Sequence, residues 1–388
     1  MSWPLVNLST VCQIDMGSAP KGSTYVELDS GVPLIAGAAD YGDVFPRPKK
    51  ATLEPTKLCK KGDIIICVRA TIGDLNWADK EYCLGRGVAG LRANDEKLDS
   101  KYLWYFIAST EDELYRNSTG STFPQINKKV IESLKIPLPP LETQKQIAAV
   151  LEKADQLRKD CQQMEQELNS LAQSVFIEMF GDPVTNPKGW VKQSLKSISS
   201  KFHDGPFGSN LKTSHYTDSG VQVIRLKNIG SGEFKEADKA FVSEAHAETL
   251  HKFKCYPGEI VIATLGEPNL RACIIPDSVP VAINKADCVH CVVDSSVINS
   301  HYLVEYLNLP SVLHTIQNKL HGQTRTRISS GQLATVDVVI PPLEQQAKYL
   351  EVLALRAKLK TDNNRSVHEY RELFNALIQK AFKGELDL

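Results

Sequence analysis

One sentence is written twice in this chain. At position 136 it reads IPLPPLETQKQIAAVLEKADQL, and at 340 it reads IPPLEQQAKYLEVLALRAKL. A shift of 202 places Pro140, Leu141 and Glu142 on Pro342, Leu343 and Glu344, and Gln144 on Gln346. The same shift carries Val150 and Leu151 onto Val352 and Leu353, Leu171 onto Leu373, and Phe180 onto Phe382. The register holds without a gap, which a chance match of one proline step does not do. The preceding segments match more loosely. Trp3 corresponds to Trp190, GVPLIA at 31 to GVQVIR at 220, and GDIII at 62 to GEIVI at 258. SKYLWYF at 100 corresponds to SHYLVEY at 300, and GSTFPQI at 120 to GQTRTRI at 322. A repeat of this period restricts the chain to two copies of one architecture, each a globular unit followed by a helix.

The helices begin where Pro139-Pro140 and Pro341-Pro342 end apolar, strand-like runs, since proline stops strand pairing and suits a first helical turn. The first helix shows a heptad seam with Ile147, Ala154, Cys161, Leu168 and Val175 at one position. Val150, Leu157, Met164 and Leu171 stand at the other. This spacing predicts a coiled coil, ending near Phe180-Gly181-Asp182-Pro183. In the second helix Val352, Leu359 and Leu373 fit the pattern, as do Tyr349, Tyr370 and Leu377, while Arg356, Asn363 and Ser366 interrupt it. Such polar positions either fix register or leave the helix to fray or to face a polar partner. The expected fold class is α+β: two globular domains alternating with two long antiparallel coiled-coil helices, related by a pseudo-twofold internal repeat. The boundaries fall at 1–138, 139–185, 186–338 and 339–388.

Composition narrows the function classes. A chain of 388 residues suits more than one core. Its formal net charge of -1 implies neither a nucleic acid nor a membrane through whole-chain electrostatics. Residues 1–138 hold 17 basic and 17 acidic side chains, and 186–338 hold 16 and 14, so any nucleic-acid face must be local. The absence of a signal-like start and of long apolar runs, with nine scattered cysteines, predicts a reduced cytoplasmic protein with no membrane partner. The local clusters are Arg47, Lys49 and Lys50 in FPRPKK, and Gln125, Asn127, Lys128 and Lys129 in PQINKK. The second unit has Arg225 and Lys227, then Gln323, Thr324, Arg325 and Arg327 in HGQTRTR. These side-chain types read base edges and hold phosphates, although any one cluster is also an ordinary solvated turn. Two of them stand just upstream of the repeated helix.

With those motifs in place, the whole layout resembles the specificity subunits of type I restriction-modification systems. The residues that carry the resemblance are Trp190 after FGDPVTNPKG, the GDIII and GEIVI runs, the GSTFPQI and GQTRTRI turns, and the paired proline-led helices. The resemblance implies two target-recognition domains (1–138 and 186–338), each reading half of a split target in double-stranded DNA. It implies helices (139–185 and 339–388) that set the gap and dock two modification subunits. Restriction subunits then join. S-adenosylmethionine, and ATP with magnesium for restriction, belong to those partners, and this chain has no cofactor, metal or catalytic centre of its own. The alternative is a protein-interaction scaffold with two binding domains on a rod.

Two motifs pull the other way and are weak. GRGVAG at 85 has the letters of a dinucleotide fingerprint but is followed by LRANDEKLD, which starts no clear helix. Cys288-Val-His-Cys291 has no second cysteine pair to complete a structural zinc site. No phosphate-binding GxxxxGK[ST] occurs, and both Pro-Pro pairs are followed by leucine, not by the aromatic residue of an adenine methyltransferase motif.

Overall fold

A computed structural model describes residues 3–120, 123–266, 268, 270–317 and 327–386. The chain divides into two compact units. Unit one comprises Met1–Gln163 and Asn363–Leu388, and unit two comprises Met164–Asp362. The division runs through both long helices, Leu141–Phe180 and Leu343–Lys383, so each unit holds the start of one and the end of the other.

The globular parts have the same strand order. In unit one a four-stranded antiparallel sheet runs Cys12–Met16, Val88–Ala93, Ile64–Cys67, Leu75–Trp77. A five-stranded sheet runs Tyr25–Val26, Lys50–Thr52, Val32–Ile35, Tyr82–Leu84, Leu58–Cys59, with one parallel pair between Val32–Ile35 and Tyr82–Leu84. A separate ribbon joins Leu5–Asn7 to Lys135–Pro137. Unit two repeats this. Its four strands are Ser199–Asp204, Cys288–Val293, Ile260–Ala263 and Arg271–Ile274. Its five are Tyr216–Thr217, Phe241–Val242, Val221–Ile224, Ala282–Asn284 and Lys254–Cys255, and Val191–Ser194 pairs with Asp337–Ile340.

The GDIII and GEIVI runs are central strands buried on both faces, which is why they are continuously apolar rather than alternating. Successive side chains of a strand point to opposite faces. Ile64 and Ile66 accordingly enter the core shared with the helices, whereas Ile65 and Cys67 enter the core under the second sheet. In unit two Ile260 and Ile262 face the helices, and Val261 and Ala263 face the other way. The glycine that opens each run, Gly62 or Gly258, has φ of +90° or +81°, a conformation that side-chain-bearing residues rarely adopt.

The repeated sentence has a structural reason. Gln144 is fully buried, and its Nε2 donates to the Pro139 and Lys97 carbonyls, both at 2.9 Å. Its Oε1 accepts from the Asp99 N–H at 2.9 Å. Gln346 does the same in unit two, donating to Pro341 O at 2.8 Å and Val297 O at 3.4 Å and accepting from Asn299 N at 2.8 Å. Asp99 and Asn299 cap the helices Ser100–Ser109 and Ser300–Asn308. One amide thus ties the proline step to the domain helix. Tyr102 Oη donates to Pro137 O and Tyr302 Oη to Val339 O, both at 2.9 Å, completing the joint. The far ends of the long helices close on the same tyrosines. Phe382 lies 5.2 Å from Tyr102 in unit one, and Phe180 lies 5.0 Å from Tyr302 in unit two.

Within each unit the two helix segments run antiparallel. In unit one Asn363 donates to Cys161 O at 2.8 Å, and Ala381 and Phe382 pack with Ile147 and Leu151. In unit two Tyr349 donates to Ala172 O at 3.1 Å, and Lys360 pairs with Glu165 at 3.2 Å. The seam is half as expected. Ile147, Ala154 and Cys161 are buried and Leu168 and Val175 partly so, but Val150, Met164 and Leu171 are exposed. The second inward stripe is Gln144, Ala148, Leu151 and Asp155, then Ala172, Phe176 and Phe180, because the globular domain takes up part of each helix surface. In the second helix Leu359 and Leu373 are likewise exposed. The interrupting residues are the ones that face inward: Arg356 makes two hydrogen bonds to Glu305, at 3.0 and 2.5 Å, and Asn363 bonds Cys161. Asn363 thus fixes register against the first long helix, whereas Arg356 faces a polar partner on the globular domain.

Replacing Gln144 by Leu leaves a buried N–H and two carbonyls unpaired, and should cost about 3 kcal/mol. Hydrogen exchange should accelerate around Asp99 and Tyr102 for Gln144→Leu, and around Asn299 and Tyr302 for Gln346→Leu.

Candidate nucleic-acid interface

In unit one the loop after the central strand and the segment before the repeated helix form one corner. Gln125 bridges Thr119 to make a hairpin, with Thr119 N to Gln125 O and Gln125 N to Thr119 O both at 2.9 Å. Its other side bridges Arg69, while Ala70 N donates to Pro124 O and Ile126 N to Val68 O, each at 3.0 Å. Ala70 stands at φ +62°, unusual for a residue with a Cβ, so the turn after Arg69 is held by these partners. Asn127 caps the helix Lys128–Ser133, its Oδ1 accepting from Val130 N at 3.2 Å. Lys128 lies 3.5 Å from Glu132, and Lys129 is exposed. The structure therefore brings Gln125, Asn127, Lys128 and Lys129 together. It adds Arg69, which the sequence reading missed. Leu265 stands at its place in unit two, so no shared residue type marked it.

Arg47, Lys49 and Lys50 lie on another part of the unit. Arg47 pairs with Asp43 at 3.0 Å, both fully in solvent contact, and Lys50 opens a short strand. Asp43 and Val44 line a cleft of about 210 Å³ with Trp77, Lys101, Trp104 and Glu152, on the side of the long helix.

The corresponding corner of unit two holds Arg327. It bridges Leu265 as Gln125 bridges Arg69, and Ile328 N donates to Thr264 O at 3.1 Å. Its guanidinium pairs with Asp287 at 2.8 Å and sits 5.9 Å from the exposed ring of Phe207. Gln323, Thr324 and Arg325 lie outside the described residues. Arg225 is held by Asp238 through Nε at 2.8 Å and Nη2 at 2.5 Å, and it lies 6.0 Å from the Tyr216 ring. That pairing ties Arg225 to the fold. Lys227 is exposed, and Lys285 stands 5.6 Å from the same tyrosine.

The two decoy motifs resolve as strands. GRGVAG runs directly into Val88–Ala93, with no helix to hold a phosphate. Cys288 and Cys291 are fully buried in a central strand, where burial pushes the thiols up to about 12 and about 11. His290 between them bonds Glu259 at 2.7 Å and lies 3.4 Å from His203.

A family model described as the type I restriction modification DNA specificity domain matches residues 2–170. The MjaX specificity subunit of Methanocaldococcus jannaschii is 40% identical over 169 residues, which is 42% of this chain and 40% of that protein. The MjaVIII specificity subunit of the same organism is 23% identical over 100% of this chain and 91% of its own length. The EcoBI specificity subunit of Escherichia coli is 20% identical over 99% of this chain and 86% of its own length. Among solved structures, a chain of a type I restriction-modification system superposes with a TM-score of 0.61 at 19% identity, covering 99% of this chain and 98% of that one. The S subunit of M. genitalium gives 0.52 at 16% identity, over 100% and 97%. Fold and repeat define a protein of two domain-and-helix units. Residues 2–170 match the type I restriction modification DNA specificity domain, and along its whole length the chain is similar to type I specificity subunits.

The buried cluster of unit two makes that unit acid-sensitive. Burial holds the His203 imidazole below its ordinary 6.5. Burial pushes Glu259 up, but the His290 hydrogen bond, the Tyr256 N–H and the nearby Lys201 charge outweigh it and keep the carboxyl below 4.5. Both groups bind protons more weakly folded than unfolded, so stability falls as pH drops. The His203 contribution is lost from about pH 6.5 downward, and that of Glu259 below about pH 4.5. Thermal unfolding followed against pH should show this loss, and His203→Gln should flatten its upper part.

Proposed function

We propose that this chain is the DNA-reading subunit of a type I restriction-modification complex, with unit one reading one half of a bipartite double-stranded target and unit two the other. The observation that supports this is the pair of equivalent corners on one strand order, furnished with different side chains: Arg69, Gln125 and Lys129 in one, Arg327 in the other. Identical frames with unlike contact residues suit two unlike half-sites. Arginine matches guanine and glutamine matches adenine in the major groove. Among the described residues neither Arg69 nor Lys129 has an ion-pair partner, and both side chains are exposed to meet phosphates or bases.

In this reading the long helices set the gap and dock two modification subunits. Exposed apolar residues on their outer faces support that role: Val150 and Leu373 in unit one, Met164, Leu171, Leu355 and Leu359 in unit two. Methyl transfer from S-adenosylmethionine, and ATP- and magnesium-dependent restriction, fall to the partners, and this chain acts without a catalytic centre.

Binding to the selected duplex should weaken steeply between about 50 and 200 mM salt, through counterion release. Arg327→Ala should cost about 1–3 kcal/mol and relax preference in one half-site, and Gln125→Ala should act on the other half alone. Competition over single-base variants of both halves checks this. For the helices, Leu171→Glu should abolish association with the modification subunit in size-exclusion chromatography while leaving the unfolding temperature unchanged.

A further inference from the structure

The hairpin of unit one carries a side chain that the fold does not use. Phe123 is 75% exposed, more than any other large apolar side chain among the described residues. The backbone that follows it is nevertheless held. Gly120, at φ +99°, turns the chain back so closely that a Cβ there would lie 2.7 Å from Phe123 O. The next two residues are pinned by the Ala70–Pro124 bond and the Thr119–Gln125 pair. A held backbone presenting a bare ring has its ordering entropy largely settled before any partner arrives.

The surroundings decide what kind of partner fits. Exposed Arg69 and Gln125 bridge each other two residues beyond the phenylalanine, and the Tyr115 hydroxyl donates to Ala70 O in the same corner at 3.2 Å. A protein-docking hot spot needs a ring of contacts around it to exclude water. A single phenyl projecting among a cation and an amide lacks that ring of contacts. It has the form of the apolar wedges that enter between base pairs, with polar neighbours to hold the strand.

We infer that Phe123 is a stacking wedge, its ring entering the base stack of the half-site read by unit one while Arg69 and Gln125 hold the adjoining strand. The inference rests on the DNA-reading role proposed above. It is specific to unit one: Arg325 of GQTRTRI stands at the place of Phe123 in GSTFPQI, and the exposed Phe207 of unit two comes from a different loop, 5.9 Å from the Arg327 guanidinium.

The test uses the full chain assembled with its modification subunits on its selected duplex. That duplex carries 2-aminopurine at each position of both half-sites in turn. The wild type should raise fluorescence at one step of one half-site. Phe123→Ala should remove that rise and weaken binding about tenfold to a hundredfold, the range of one stacking contact. Phe123→Trp should keep both. Because the ring is exposed, the unfolding temperature should not move. An alanine variant with unchanged rise and affinity overturns the wedge, and so does weaker binding when the wild type raises fluorescence at no step. Failure of the alanine variant to assemble with the modification subunits would make the ring a protein contact and overturn it as well. A wild-type complex that binds no duplex sinks the DNA-reading role itself, an outcome distinct from all of these.

Discussion

Two buried glutamines hold this structure together. In each unit a helix begins at a proline step, and the carbonyls of Pro139 and Pro341, which lie outside the helical ladder, need partners. Gln144 and Gln346 supply them and also reach the N–H of the residue that caps the domain helix. Leucine could fill the volume but not the three polar positions. The direction in which each long helix leaves its domain therefore depends on one side chain. That accounts for the conservation of wording between halves whose loops differ. Tyr102 and Tyr302 brace the same joint from below, and the phenylalanines at the ends of the long helices pack onto them.

The corners that the joint supports are electrostatically restrained. Arg225 is bound at two points by Asp238, and Arg327 is paired with Asp287. Such pairs keep the local field low, in keeping with a formal net charge of -1. A phosphate approaching Arg327 must compete with a carboxylate at 2.8 Å. Unit one is less committed, since Arg69 and Lys129 are exposed. The two corners thus differ in how far their cations are already paired.

What the sequence revealed follows from how local each signal is. The repeat was legible because a gapless shift survives any loop variation. The central strands were legible because a strand buried on both faces has to be apolar throughout. The helix seam was legible in one stripe only. Val150, Met164 and Leu171 have the spacing of a core but lie outside, while Asp155 has the look of a surface residue and is buried, neutralised by Arg158 and Lys159. Heptad spacing cannot tell a partner helix from a globular domain pressed on the same helix. Least legible were the long-range partners. Nothing in PQINKK announces that Arg69, more than fifty residues earlier, bridges to Gln125, and nothing in GVQVIR points to Asp238.

Unit one is finished last. Its core needs Phe374, Ala381 and Phe382, which follow the whole of unit two in the chain. Unit two is a single uninterrupted stretch, Met164–Asp362. During synthesis the first domain to emerge must wait, with the surface around Tyr102 uncovered, until the second has been made in full. The second meets no such delay. Order of translation and order of completion are reversed, so early arrest of the ribosome leaves unit one open to chaperones and proteases whatever its own strands have already formed.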